Sequence, residues 1–86
     1  MIDAKVAVDK ATDYLKIFFP ESERTQLIEV ELSDDKKSWY ITMSHDTLPT
    51  TPSELMASAK TTKYKVFRID VKSGEVISMK LRDLKL

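Results

Sequence analysis

The sequence predicts an α+β fold: an N-terminal helix packed on a four-stranded antiparallel β-sheet, in the order α-β-β-β-β. Three observations predict it. Apolar residues recur at helical spacing from Ala4 to Phe18 and stop at Pro20. Four later runs, at 28–32, 39–43, 64–71 and 76–82, alternate apolar with polar residues. Short polar turns at 33–37 and 72–74 join those runs in pairs.

Asp3 is placed to cap the helix, its carboxylate accepting from a free amide of the first turn. Ala4, Ala7, Val8, Ala11, Tyr14, Leu15, Phe18 and Phe19 share one side of the helical wheel. Lys5, Asp9, Lys10, Thr12, Asp13 and Lys16 occupy the other, with Val6 and Ile17 as exceptions. The alanines allow close approach to the sheet, and Phe18 and Phe19 fill the far end. Pro20 ends the helix because the residue before a proline is pushed out of the α region.

After a polar connection at 21–24, Ile28, Val30 and Leu32 alternate with Glu29 and Glu31, as in a strand with one buried face. Trp39, Ile41 and Met43 alternate with Tyr40 and Thr42 in the second run. The third sets Lys65, Phe67, Ile69 and Val71 against Tyr64, Val66, Arg68 and Asp70. The fourth sets Ile77, Met79 and Leu81 against Val76, Ser78, Lys80 and Arg82. Gly74, the sole glycine, stands where the last turn needs a residue at positive φ.

The chain reads as a single domain, residues 1–86, with a long variable loop at 45–61. Within that loop Thr51, Pro52 and Glu54 match the cap, first and third positions of a capping box, predicting a short helix over 52–60. A helix about 10–12 Å across is narrower than four strands ~4.8 Å apart. Sheet curvature, Leu48, Leu55 and Met56 of the loop, or a partner must therefore cover the rest.

Composition narrows the function classes. The formal net charge is zero, so the total implies no general affinity for nucleic acid or anionic membrane. Residues 25–60 hold six acids and three bases, whereas 61–86 hold seven bases and three acids. Solvated strand faces of opposite sign are the simpler reading; the other is that the two segments complement each other within one molecule or between two copies. With no cysteine there is no disulfide, thiolate metal site or cysteine nucleophile. No signal-like or membrane-spanning run is present, which leads to the expectation of a cytoplasmic protein.

No residue pattern predicts catalysis, a cofactor or a metal. Ser44, His45 and Asp46 are adjacent at a strand end, where neighbouring side chains do not converge on one target; they read as the polar start of a loop. One imidazole without a second His or Cys is a weak metal pattern. Asp34 and Asp35 lie in a solvated turn where nothing splits their acidities.

Strand parity instead singles out the sheet face away from the helix, and the candidate binding residues are Leu27, Tyr40, Thr42, Tyr64, Val66, Arg68, Lys80 and Arg82. Tyrosine and arginine beside aliphatic residues are enriched in protein interfaces. Glu29 and Glu31 on the same face argue against nucleic acid. The expected function is a non-catalytic protein-interaction module with a protein partner or homodimer and no membrane. The alternative is a small apolar-ligand-binding protein with a pocket between helix and sheet.

The alanine-spaced helix, Glu29-Val30-Glu31-Leu32, Trp39-Tyr40-Ile41-Thr42 and above all residues 64–78 give the chain a likeness that covers nearly everything except 45–61. In these segments it resembles the PepSY family and its short bacterial members of unknown function. The resemblance implies a PepSY/cystatin-like arrangement and a non-catalytic module that regulates or inhibits a peptidase.

Overall fold

The computed structural model describes residues 1–47, 52 and 61–82. Helix α1 (Ala4–Phe18) is followed by strands β1 (Glu23–Leu32), β2 (Ser38–Thr47), β3 (Thr61–Asp70) and β4 (Val76–Leu81). The strands form one antiparallel sheet in the order β1-β2-β3-β4, and α1 crosses one face of it. This is the α+β arrangement expected from the sequence.

The start of α1 is fixed twice. Asp3 accepts a hydrogen bond from the Val6 amide at 2.9 Å, which satisfies one orphan donor of the first turn. Just before it, the Ile2 amide donates to the Val71 carbonyl at 2.7 Å, and Trp39 Nε1 donates to the Ile2 carbonyl at 3.2 Å. The chain therefore enters the helix already tied to one end of the sheet. Ala7, Ala11 and Leu15 are buried beneath α1, and the two methyl side chains let the helix backbone lie close to β2 and β3. The amide of Phe19 closes the last turn on the Leu15 carbonyl at 2.8 Å.

Both hairpin turns are organised by an aspartate and a serine. In the first, Asp35 accepts from Ser33 Oγ at 2.6 Å and from the Lys37 amide at 2.9 Å, with Lys36 at φ 61°. In the second, Asp70 accepts from the Lys72 amide at 3.1 Å and from Ser73 Oγ at 3.0 Å. Gly74 there has φ 73°, the left-handed conformation that glycine adopts without steric cost. These bonds stabilise the ionised forms and hold both carboxyls below their usual pKa.

Three bulges alter the faces expected from simple alternation. β1 carries two register shifts, one beside Arg24 (φ 52°) and one between Leu27 and Glu29. β4 carries one, leaving Ile77 as the extra residue between Val76 and Ser78. Each bulge moves the residue before it to the other face. Leu27, expected on the open face, is paired with Met43 and so belongs to the helix side. Val76 is paired with Ile69 and packs on the core, while Ile77 is 52% exposed. All three irregularities lie on edge strands, where they blunt pairing with another sheet.

The core is Ala7, Ala11, Leu15, Ile41, Met43, Phe67 and Ile69, with Trp39, Tyr14, Phe19, Val76 and Met79 packed partly buried around it. It is narrower than the alternation implies, because one helix covers the two central strands. Ile28, Val30, Ile77 and Leu81, expected in the core, are exposed. Phe18, expected to fill the interface, is 55% exposed and stacks on Tyr14 with ring centroids 4.8 Å apart. The helix expected over 52–60 lies outside the described residues apart from Pro52, as do Leu48, Leu55 and Met56.

Candidate functional site: a cleft beside His45

β2 continues past Met43 to Thr47, so His45 is a strand residue and not the start of a loop. Alternation along the strand keeps it on the same face as Trp39, Ile41 and Met43. It is 1% exposed. Ser44 and Asp46 point to the opposite face, where Asp46 accepts from Thr62 Oγ1 at 2.8 Å. The Ser44-His45-Asp46 run is therefore split by the sheet and forms no triad. Among the described residues, no three histidine or acidic side chains gather as metal ligands.

The hydrogen-bond partner of His45 comes from elsewhere. Phe19 and Pro20 turn the chain out of α1, and the Ser22 amide bonds the Phe19 carbonyl at 3.0 Å. That turn brings Ser22 Oγ to 2.8 Å from His45 Nδ1. The Phe19 ring lies tilted against the imidazole, 5.2 Å between centroids. The other ring nitrogen, Nε2, is buried and has no hydrogen-bond partner among the described residues.

His45 forms part of the wall of a cleft of about 450 Å³ at the C-terminal end of α1. Phe18 and Phe19 close it from the helix, and residues 20–22 from the connection that follows. Lys63 and Lys65 of β3 and Leu81 of β4 form the sheet side. The register makes this inevitable: Lys63 is opposite His45, Lys65 opposite Met43, and Leu81 opposite Lys65, all on the helix face. Helix α1 ends before this corner, so two lysines at inward positions line a cleft there instead of packing under the helix. Lys65 Nζ sits over the Phe19 ring, 5.1 Å from its centroid, a cation–π geometry.

Burial holds the His45 imidazole below its usual pKa of 6.5, and the nearby Lys65 charge adds to this. Asp46 opposes them weakly, and Lys63 acts in the same sense as Lys65. The ring is thus neutral at physiological pH. One nitrogen is tied to a hydroxyl, and the other is buried without a partner among the described residues.

The open face is built differently. Tyr40, Thr42, Tyr64, Val66, Arg68, Lys80 and Arg82 do share it, as expected, and Leu27 does not. Arg82 reaches from the end of β4 across β3 to donate to Thr42 Oγ1 at 2.7 Å and to Glu29 on β1 at 3.4 Å. Arg68 Nε donates to Ser38 Oγ at 3.1 Å. Thr42 and Ser38 are buried beneath these arms, each 1% exposed.

The cleft was not among the residues singled out from the sequence, although a signal for it exists. Extending the alternation two residues past Met43 brings His45 inward. Reading it back from Phe67 brings Lys65 and Lys63 inward as well. Charged residues at inward positions of a strand are the mark of a place where the core gives way to a site. Compared with known proteins, the chain matches no family model, no curated protein and no solved structure.

Proposed function

We propose that the protein is a non-catalytic binding protein that takes a small, largely apolar ligand in the cleft beside His45. The observation that carries this reading is a cleft lined by His45, whose buried Nε2 has no hydrogen-bond partner among the described residues. A buried polar atom left without a partner costs about 1–3 kcal/mol, and nearly all such atoms in folded proteins are paired. A ligand that reaches Nε2 supplies the missing bond and covers Phe18 and Leu81. The cleft volume lies within the usual range for small-molecule sites.

Catalysis is not part of the proposal. The Ser22–His45 pair has a hydroxyl and an imidazole but, among the described residues, no third group orienting the ring through Nε2. Nucleophile–base pairs depend on such an orienter. The test is a ¹H–¹³C NMR titration with small aromatic and aliphatic compounds of neutral, anionic and cationic type. Saturable shifts of the His45, Phe19 and Leu81 signals are expected. Shifts confined to other surfaces, or none across the set, overturn the reading.

A second reading, self-association through the open face, is supported by the crossing arms of Arg82 and Arg68. They hold that face in one arrangement, which lowers the entropy cost of docking. Glu29, Glu31, Lys80 and Arg82 give it both signs of charge. The peptidase regulation implied by the PepSY resemblance would use the same face. Solution mass by light scattering checks self-association: a monomer at every salt and protein concentration excludes it.

A further inference from the structure

We infer that the ligand of the His45 cleft is a carboxylate with an apolar body, an aliphatic or aryl acid; this rests on the cleft being a binding site. Three features of the wall carry the inference.

The first is charge. Among the described residues, the ionisable side chains of the wall are Lys63 and Lys65 from β3, Glu21 from the connection after α1, and His45 itself. Asp46, the neighbour of His45, lies on the other face of the sheet, bonded to Thr62. With the imidazole neutral, the described residues of the wall bring two ammonium groups and one carboxylate, a net charge of one positive. A cationic ligand is repelled there, and a monoanion is matched.

The second is hydrogen bonding. Ser22 Oγ either donates to His45 Nδ1 or accepts from it. When the hydroxyl donates, Nε2 carries the ring proton and is a buried donor without a partner among the described residues. An anion selects that tautomer, because it can accept from Nε2–H but cannot share the lone pair of the alternative. The same wall also carries two lysines, and hydrogen bonds to an ionised acceptor are roughly twice as strong as neutral ones. A purely apolar ligand leaves Nε2 unpaired and gains none of this.

The third is the apolar surface beside the donors. Phe18 and Leu81, 55% and 67% exposed, line the cleft together with Phe19 and Pro20. Exposed phenylalanine and leucine next to a cationic pair match an amphipathic acid: a carboxylate toward the sheet, and a hydrocarbon or ring against the helix end. An inorganic anion would leave that apolar surface uncovered.

The test uses octanoate, 1-octanol and octylammonium as probes of one chain length and three charges, with the intact protein. Affinity is read from the shifts of the His45, Phe19 and Leu81 signals. Octanoate is expected to bind about tenfold tighter than octanol, with octylammonium weakest. Lys65→Met should reduce the acid's preference over the alcohol to about threefold or less while octanol still binds, since the methionine keeps the apolar stem over Phe19. Octanoate, but not octanol, should raise the His45 pKa, seen by following its ring nitrogens with pH, because an adjacent anion favours the imidazolium. Equal binding of acid and alcohol at the cleft overturns the inference and leaves the binding site standing. Tightest binding by octylammonium does the same. No shift at His45 with any of the three overturns both.

Discussion

The two faces of β2 bury polar side chains in opposite ways. On the open face, Thr42 and Ser38 are sealed under arginines that reach from β4 and β3 and bond to them. On the helix face, His45 is equally buried, but only one of its nitrogens is bonded among the described residues. Small hydroxyls under long, flexible arginines satisfy one another, so the open face is complete as it stands. The imidazole has two nitrogens on opposite sides of a rigid ring, and Ser22 reaches only one of them. The difference teaches where to look for function: a satisfied buried group belongs to the architecture, and an unsatisfied one beside a cleft asks for an occupant.

The largest effect should come from the core that both faces share. Phe67, 0% exposed and edge-on to Tyr14 at 6.2 Å, lies under α1. Phe67→Ala is expected to cost about 3–5 kcal/mol, measured by urea unfolding. Phe18→Ala, at an exposed position, should cost distinctly less. Equal costs would mean that the helix end is packed as tightly as its middle, leaving no cleft to fill.

The open face comes next. Arg82→Met should cost about 1–3 kcal/mol, since it strips a buried hydroxyl of its partner. The partly exposed pair with Glu29 adds about 0–1 kcal/mol at most. Thr42→Val in the Arg82→Met background should restore most of the loss, because removing both partners is close to neutral. A double-mutant cycle without coupling would break the claim that this face is internally satisfied.

His45→Phe should change stability by about 1 kcal/mol or less, in either direction, because the ring volume is kept and an unpaired nitrogen is removed. The same change should weaken the preference for the acid in the cleft while Lys63 and Lys65 keep part of it. A loss as large as that of Arg82→Met would show that His45 is held by a complete network, and the contrast between the faces would fail.

The smallest effect is a dependence on pH. The folded pKa of His45 lies below the unfolded value near 6.5, so the unfolded chain binds the proton more readily. Stability is then full above pH 6.5 and declines as pH falls toward the folded pKa. In His45→Phe this decline should be absent. Asp35 and Asp70, whose folded pKa values lie below 3.8, act in a separate window, stabilising above pH 3.8 and losing that contribution as pH falls below it. Unfolding midpoints of the two proteins between pH 7 and 4.5 check the first window. Parallel curves would show that burial does not penalise the charged ring.

Much of the fold was legible because it follows from local periodicity and turn chemistry. The helix from Ala4, its cap at Asp3, the strand pairs and the positive φ of Gly74 each depend on residues a few positions apart. The candidate site was legible only in part. Open-face residues from Tyr40 to Arg82 follow from parity within one strand, whereas Leu27 was misplaced because a bulge inserts a residue that alternation cannot count. His45 was obscured by its polar neighbours: Ser44 and Asp46 look like a loop until β3 pairs with that stretch.

The sequence by itself determined the order of elements, the apolar stripe of α1 and the two hairpin turns, because short-range sterics and hydrogen bonds set these. Only the tertiary structure decided how far α1 reaches, where the edge strands bulge, and which groups meet at the corner it leaves open. Those outcomes depend on packing a helix narrower than the sheet and on register between strands distant in sequence. The cleft that joins Ser22, His45 and Lys65 is their joint product.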